Sequence, residues 1–353
     1  MSKNIFYFLT AIVLAISAPF ASASTPATVA TVPDGMVTLP MLHGVTNYLS
    51  LPLTRVSIYT TTVNAVTTNT LSVDDAPAPF TSSLLAPGMP YFVRFLSGNE
   101  VGRIMLITGN TSNSLTVDTT DDISGEAVAL TTTGFSVQAG DTFEVFPGDT
   151  LASVFGDGSS ANPLAVTGGA SLSNADVVSL YVTASAAAPS YYFNPTAGYW
   201  ELKGSTANAN NTIIYPYSAL TVLRLSSHPD TTLTLSGRVT QVAPATKVAS
   251  HGTVFTSSHF ATDITLSQLQ FGAKWVQGVT LSTSDSISVW NPILNQFDVF
   301  FQEPDSTWRK YPDMKTDQSR YIIPTGSVAT IAKKGSLSGA AMFLQSALPY
   351  SLE

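Results

Sequence analysis

The sequence predicts an all-β protein made of tandem antiparallel units of the β-sandwich or jelly-roll type. Short runs rich in Val, Ile, Thr, Tyr and Phe recur along the chain, bounded by Gly, Asn, Asp and Pro. Runs such as "DTFEVF", "VVSLYV" and "DSISVW" alternate nearly residue by residue, which turns one set of side chains inward and the Ser and Thr set outward. Apolar residues at helical spacing are almost absent, so helical turns are expected only at "TLASVFG" and "TLSQLQFG".

An internal repeat also favours tandem units. "GASLSNADVVSLY" (169–181) lies over "GVTLSTSDSISVW" (278–290) at an offset of 109 residues. After the aromatic pairs that follow, one residue is deleted and the offset becomes 108, with these pairs aligned: Trp200 with Trp308, Ile214 with Ile322, Pro216 with Pro324, Leu220 with Val328 and Leu223 with Ile331. Because these anchors keep their order over most of a domain length, we predict a duplication of about 108 residues.

The predicted domain organisation has four parts. Residues 1–23 have a Lys, an apolar stretch and a small-residue processing site, as in a secretory signal peptide. Residues 24–140 form an N-terminal β-rich region that opens with a flexible Thr/Ala/Pro-rich start. The two copies of the β unit are expected at 141–243 and 246–353.

Composition indicates an exported protein. The formal net charge is −8, only 11% of residues are charged, and there is no cysteine. An acidic chain without a long Lys/Arg run argues against nucleic-acid binding, and after removal of the leader no transmembrane segment is expected. The predicted location is extracellular, at the cell surface or in the periplasm.

Several motifs follow one another in a distinctive order. They are "NYLSLPL" (47–53), residues 91–118, "GDTFEVFPGDTLASVFG" (140–156), and then D-x-V-x-L, YYF, G-Y-W, I-x-Y-P and L-T-V. In this order they resemble a family of exported, β-rich bacterial proteins of the Verrucomicrobia and their relatives, which has no assigned activity. Where that pattern has Pro-Gly before a final strand, this chain has Pro216-Tyr217 and, in the second copy, Pro324-Thr325-Gly326. The resemblance implies export and a β-rich fold, and it supplies no substrate, cofactor or catalytic residue.

Motifs of known catalytic chemistry are missing from the sequence. There is no Gly-x-Ser-x-Gly elbow and no cysteine nucleophile, and the four His residues are scattered, which favours surface or capping roles for them. No pair of carboxylates recurs in the two copies. The one shared acid, Asp176 and Asp285, directly precedes a strand, where we expect it to accept hydrogen bonds from turn N–H groups. The sequence therefore predicts a protein that is not an enzyme. The alternative is a hydrolase whose catalytic residues are not recognisable from the sequence.

The densest acidic stretch is "DTTDDISGE", residues 118–126. Its spacing does not fit an EF-hand, so a solvated hairpin tip is the favoured interpretation and no cofactor is predicted. The alternative is a structural Ca²⁺ site, with the following candidate ligands: Asp118, Asp121, Asp122 and Glu126.

The run "YYFNPTAGYW" (191–200) has five aromatic residues in ten. The second copy keeps the aromatic pair, the Pro and the Trp but not the hydroxyls, which favours a core hairpin turning at 194–198 and anchored by Trp200. The alternative is a ligand platform, for which Tyr199, Trp200 and Trp308 are the candidate binding residues.

These observations order the functional hypotheses. The first is a non-catalytic exported structural, surface or extracellular-matrix protein whose partners are itself or other envelope components. The second is a polysaccharide-binding module that uses exposed aromatic rings, and the third is the hydrolase.

Overall fold

The computed structural model describes residues 34–75, 80, 88–120, 127–133, 136–181, 188–248, 251–335 and 342–350. The strands of these residues pair antiparallel in seven sheets, so the prediction of an all-β protein is confirmed. The predicted leader at 1–23 lies outside the described residues. Within the described ranges, no helix is both long and apolar enough to cross a membrane.

A five-stranded sheet, in the order β13-β12-β11-β15-β2, forms the first unit. Its strands are β2 (Thr46–Ser50), β11 (Val177–Leu180), β12 (Ser190–Asn194), β13 (Tyr199–Leu202) and β15 (Ala219–Leu223). Two smaller sheets cover its inner face: β1 (Asp34–Met41) with β16 (Thr231–Arg238), and β10 (Asp149–Thr150) with β14 (Ile213–Ile214). A 3-10 helix covers Leu172–Asn174.

The core of the first unit follows from strand alternation. Val178, Phe193, Trp200 and Leu220 all point to the same face of the sheet and are buried. The short helix α1 (Leu151–Phe155) closes one end of this core. It begins where predicted, because the Thr150 and Ser153 side chains each accept a hydrogen bond from the other's backbone N–H.

A second five-stranded sheet has the order β18-β24-β20-β21-β22. Its strands are β18 (His251–Ser257), β20 (Ser286–Asn291), β21 (Gln296–Gln302), β22 (Trp308–Tyr311) and β24 (Val328–Lys334). The accompanying pairs are β17 (Ala245–Val248) with β25 (Met342–Gln345), and β19 (Ile264–Thr265) with β23 (Ile322–Ile323). 3-10 helices cover Leu266–Gln268, as expected at "TLSQLQFG", and Gly272–Lys274.

The two units share one strand order, but part of the predicted alignment is shifted by one residue. Asp149 pairs with Ile214 in the first unit, and Ile264 pairs with Ile323 in the second. Thr150 and Thr265, which start the matching helical turns, pair with Ile213 and Ile322. Ile214 therefore corresponds to Ile323 and not, as the alignment predicted, to Ile322. In β15 and β24 the offset is 109 residues and not the predicted 108, since Val178 pairs with Val222 and Ile287 pairs with Ile331.

A seven-stranded sheet, in the order β3-β9-β6-β7-β8-β5-β4, encloses a third core. Its strands are β3 (Tyr59–Thr62), β4 (Ala65–Val66), β5 (Thr70–Ser72), β6 (Tyr91–Phe95), β7 (Ile104–Asn110), β8 (Ser114–Val117) and β9 (Thr142–Pro147). Strands from both sides of residue 141 pair here, since β9 lies between β3 and β6. Likewise β1 and β2, from the N-terminal region, pair with strands of the first unit.

The outer faces of the two five-stranded sheets meet through two ring contacts. Tyr48 on edge strand β2 lies 4.2 Å from Trp290 on central strand β20, between ring centroids. Tyr181, which follows central strand β11, lies 4.4 Å from Phe255 on edge strand β18. Each contact joins an edge strand of one unit to a central strand of the other, as in a two-fold symmetric interface between identical subunits.

Candidate functional site

The aromatic run forms the predicted hairpin. Phe193 pairs with Trp200 across β12 and β13, and the turn lies between the two strands. Trp200 and Trp308 both have 0% of their surface exposed, so neither indole has a face on which a ligand could stack. The Trp200 indole N–H donates to the Gly156 carbonyl at 2.7 Å, which fixes the ring inside the core. The expectation of exposed stacking rings therefore does not hold at these two positions.

Tyr199 lies at the edge of the first sheet and is half-buried. Its hydroxyl donates to the Thr206 carbonyl at 3.1 Å. This contact fastens the loop after β13 to the sheet edge, which is a structural use of the phenol.

The acidic stretch is described only in part. Asp118 directly follows β8 and accepts hydrogen bonds from the Thr120 backbone N–H and hydroxyl, at 2.8 and 2.7 Å. Asp121, Asp122 and Glu126 lie outside the described residues, so the Ca²⁺ site stays a prediction. Among the residues that are described, no cluster of three His, Cys, Asp or Glu side chains could hold a metal ion.

Asp176 is the most heavily bonded acid of the first unit and is fully buried. It accepts hydrogen bonds from the backbone N–H groups of Thr167 and Leu225, at 2.8 and 3.1 Å. The Arg224 guanidinium lies 2.7 Å away and the His228 imidazole nitrogen lies at the same distance. The predicted backbone hydrogen bonds are present, but they join three separate segments, and the buried cation was not predicted.

Asp285 repeats this arrangement in the second unit. It accepts hydrogen bonds from the backbone N–H groups of Val276 and Lys334, at 2.7 and 2.8 Å, and it pairs with the buried Lys333 ammonium. In both units the cation follows the aspartate by 48 residues. Each aspartate thereby ties the start of a central strand to the end of its neighbour and to a preceding loop.

A third buried cluster joins all three groups of strands. Arg94 on β6 pairs with Glu144 on β9, and the side chains of both are about 95% buried. Arg94 also donates to the Tyr217 hydroxyl at 3.2 Å, and the Tyr217 ring lies 4.8 Å from the His259 ring in the second unit. Tyr217 has a φ of 61°, in the left-handed region.

His259 is buried, which corrects the expected surface or capping role. Its Nε2 bonds the hydroxyls of Thr246 and Thr256 at 2.8 and 2.9 Å. Desolvation lowers its pKa from 6.5 to about 3, because no described carboxylate compensates a charge on the ring. His259 is therefore neutral over the whole neutral and mildly acidic range.

This burial predicts acid sensitivity. Between pH 6.5 and 3 the unfolded chain binds a proton at His259 and the folded chain does not, so the stability present above pH 6.5 is lost as the pH falls. The free energy of unfolding of the wild-type protein should fall between pH 7 and pH 4.5, and we expect His259 to account for about 2 kcal/mol of that fall. His259 has a φ of 62°, in the left-handed region that Asn tolerates. The His259→Asn variant should therefore lose correspondingly less unfolding free energy between the two pH values, measured by urea unfolding. An unchanged difference between the two pH values would contradict this assignment.

A cleft of about 770 Å³ lies on the outer face of the first five-stranded sheet. Hydroxyl groups form much of its floor, and the rings of Tyr48 and Tyr181 form one end. These two rings are the ones that contact Trp290 and Phe255 of the second unit. Burial and a hydrogen bond to Tyr181 raise the pKa of the Tyr48 phenol, which is held as a neutral donor and acceptor.

Sequence reasoning missed this cleft, although a signal for it exists. In "NYLSLPL" the alternation puts Leu49 inward and Tyr48 outward, and in "VVSLYV" it puts Leu180 inward and Tyr181 outward. The sequence does not show that β2 joins this sheet, which is what brings the two tyrosines to the same end of the cleft.

Comparison of the chain with protein-family models, with curated proteins and with solved structures finds no match to any of them.

Proposed function

We propose that the protein is a non-catalytic exported structural protein of the cell surface or extracellular matrix, built from tandem β units. The observation that carries the proposal is the use of the buried acids. Every described buried carboxylate accepts a hydrogen bond from a side chain or backbone group of the fold: Glu100, Glu144, Asp176, Glu201, Asp285 and Asp298.

These acids serve packing and not proton transfer. A general acid or base must reach its substrate, whereas Asp176 and Asp285 have 0% exposed surface and are paired with buried cations. Pairs of this kind are costly to break and hold segments in one arrangement. The hydrolase alternative is therefore less favoured than a rigid structural role.

The proposal includes the duplication. The shared strand order, the shared aspartate–cation spacing of 48 residues and the symmetric ring contacts support descent of both units from one ancestor. We place the first copy at β1, β2 and the strands from β10 to β16, with the seven-stranded sheet as an insertion after β2. This replaces the simple boundary at residue 141 with a discontinuous unit.

Cell fractionation tests the location and the partners. In cells that make the protein, we expect most of it in the envelope or matrix fraction, retained through contacts with itself or other envelope components. Extraction with increasing salt and denaturant should release it stepwise, with a soluble periplasmic enzyme as the marker of unbound protein. Recovery of nearly all of the protein with that marker would contradict the proposal.

A second candidate function, polysaccharide binding, is favoured by the cleft on the first sheet. The candidate rings move from Trp200 and Trp308, which are buried, to Tyr48 and Tyr181, which line the cleft. A structural protein of a matrix and a polysaccharide-binding protein are compatible, because attachment to a glycan is one way for such a protein to be retained.

A further inference from the structure

We propose that the cleft on the first sheet binds a segment of a polysaccharide chain, laid across the strands along one row of side chains. The row is Lys203, Ser190, Ser179, Thr221 and Tyr48. This inference rests on the second candidate function and names its site.

Strand register places these five residues in a line. Ser190 pairs with Ser179, Ser179 with Thr221, and Thr221 with Tyr48, so their side chains share the outer face. Lys203 lies beside Ser190, to whose carbonyl it donates its backbone N–H at 2.8 Å. At a strand spacing of about 4.8 Å, the row is about 19 Å long and carries a polar group at every strand.

The spacing suits a glycan. A chain of sugar rings presents hydroxyl groups at short, regular intervals along its length, and each can donate to or accept from a Ser or Thr hydroxyl. Ser179 and Ser190 already share a hydrogen bond of 2.9 Å between their Oγ atoms, which leaves both oxygens able to accept from a ligand. The floor thus carries a row of hydroxyl groups beside the apolar side chains of Val177 and Leu223.

The tyrosine end supplies the apolar contact. The carbon face of a sugar ring is apolar and packs against aromatic rings. Ligand sites usually combine such an apolar wall with a few polar groups. Tyr48 and Tyr181 are held by Trp290 and Phe255 at 4.2 and 4.4 Å. Rings that are fixed before binding lose little conformational entropy when the ligand arrives.

Charge narrows the ligand class. The residues that line the cleft include one cation, Lys203, and no carboxylate. The cleft therefore suits a neutral glycan or one with acidic sugars. A cationic polymer would find no carboxylate to pair with in the cleft. Lys203 lies at the end opposite the tyrosines, where an acidic sugar would contact it.

The second sheet provides an internal control. Its matching row is Tyr311, Val299, Ser288, Thr330 and Phe255. Val299 stands in place of Ser190 and Tyr311 in place of Lys203, so the row of polar groups is interrupted. We expect one glycan site per chain, on the first sheet alone.

Affinity electrophoresis of the full chain in gels that contain soluble xylan, mixed-linkage β-glucan or alginate tests this site. The wild-type protein should be retarded in at least one gel, and Ser190→Val should weaken the apparent affinity about fivefold or more. Tyr181→Ala should weaken it further, and Ser288→Val in the second sheet should not change it. Lys203→Met should reduce retardation in alginate and leave retardation by the neutral glycans unchanged.

Each outcome decides a separate point. Thermal unfolding of every variant identifies a loss of binding that comes from loss of the fold. If Tyr181→Ala unfolds, Ser190→Val still tests the site. If the Ser190→Val and Ser288→Val variants were retarded equally, the proposed site would be wrong, although polysaccharide binding by the protein would stand. No retardation of the wild type in any of the three gels would overturn both the site and the second candidate function, and it would leave the structural proposal to the fractionation experiment.

Discussion

Replacing Asp176 with alanine is expected to lower the free energy of unfolding by about 3–5 kcal/mol. The substitution leaves Arg224, whose side chain is 2% exposed, as a buried charge without its carboxylate. It also removes the acceptor of the Thr167 and Leu225 backbone N–H groups, which are then buried without partners. Urea unfolding followed by tryptophan fluorescence measures the change.

A surface acid of the same type provides the control. Asp305 is exposed and accepts its hydrogen bonds locally, among them one from the Thr307 backbone N–H at 2.9 Å. Asp305→Ala should therefore cost about 1 kcal/mol or less. If Asp176→Ala were as mild as Asp305→Ala, the aspartate–cation pair would not be a structural tie, and the interpretation of the buried acids would fail.

The second large effect is expected at Trp200. Trp200→Ala should cost about 3–5 kcal/mol, because it empties the centre of the first core, where Phe155 and Phe193 lie about 6 Å from the indole. The same unfolding experiment measures it. A change below about 1 kcal/mol would contradict the buried position of this ring.

The phenylalanine variants separate the two tryptophans more sharply. Trp200→Phe removes the hydrogen bond to the Gly156 carbonyl and leaves that acceptor without this donor. The Trp308 indole N–H has no hydrogen-bond partner among the described residues, so Trp308→Phe removes a buried donor that is unsatisfied. Trp200→Phe should consequently be the more destabilising of the two by about 1 kcal/mol, and the reverse order would contradict the assigned partners.

The sequence was sufficient for the local structure. Strand alternation and turn residues predicted the hairpin at 191–200, and the Thr-initiated turns predicted the helices at residues 151 and 266. These features depend on neighbours a few residues apart, which a reader of the sequence can see. The inward position of Trp200 followed from comparison of the two copies, since a ring was kept and hydroxyls were lost.

Long-range partners could not be predicted in the same way. Asp176 was expected to bond nearby N–H groups, yet two of its partners lie 48 and 49 residues later. A signal was present, because a cation follows the aspartate by 48 residues in both units. It was not recognised, because Arg224 and Lys333 differ in type and the predicted alignment was shifted by one residue there. The cleft was missed because it depends on the pairing of β2 with β15, strands about 170 residues apart.

Sedimentation velocity of the purified chain without residues 1–23, over a hundredfold range of concentration, tests the central claim of a self-associating structural protein most directly. We predict that the weight-average sedimentation coefficient rises with concentration, as reversible association of the chain with itself requires. A single species with the mass of one chain at every concentration would contradict the claim.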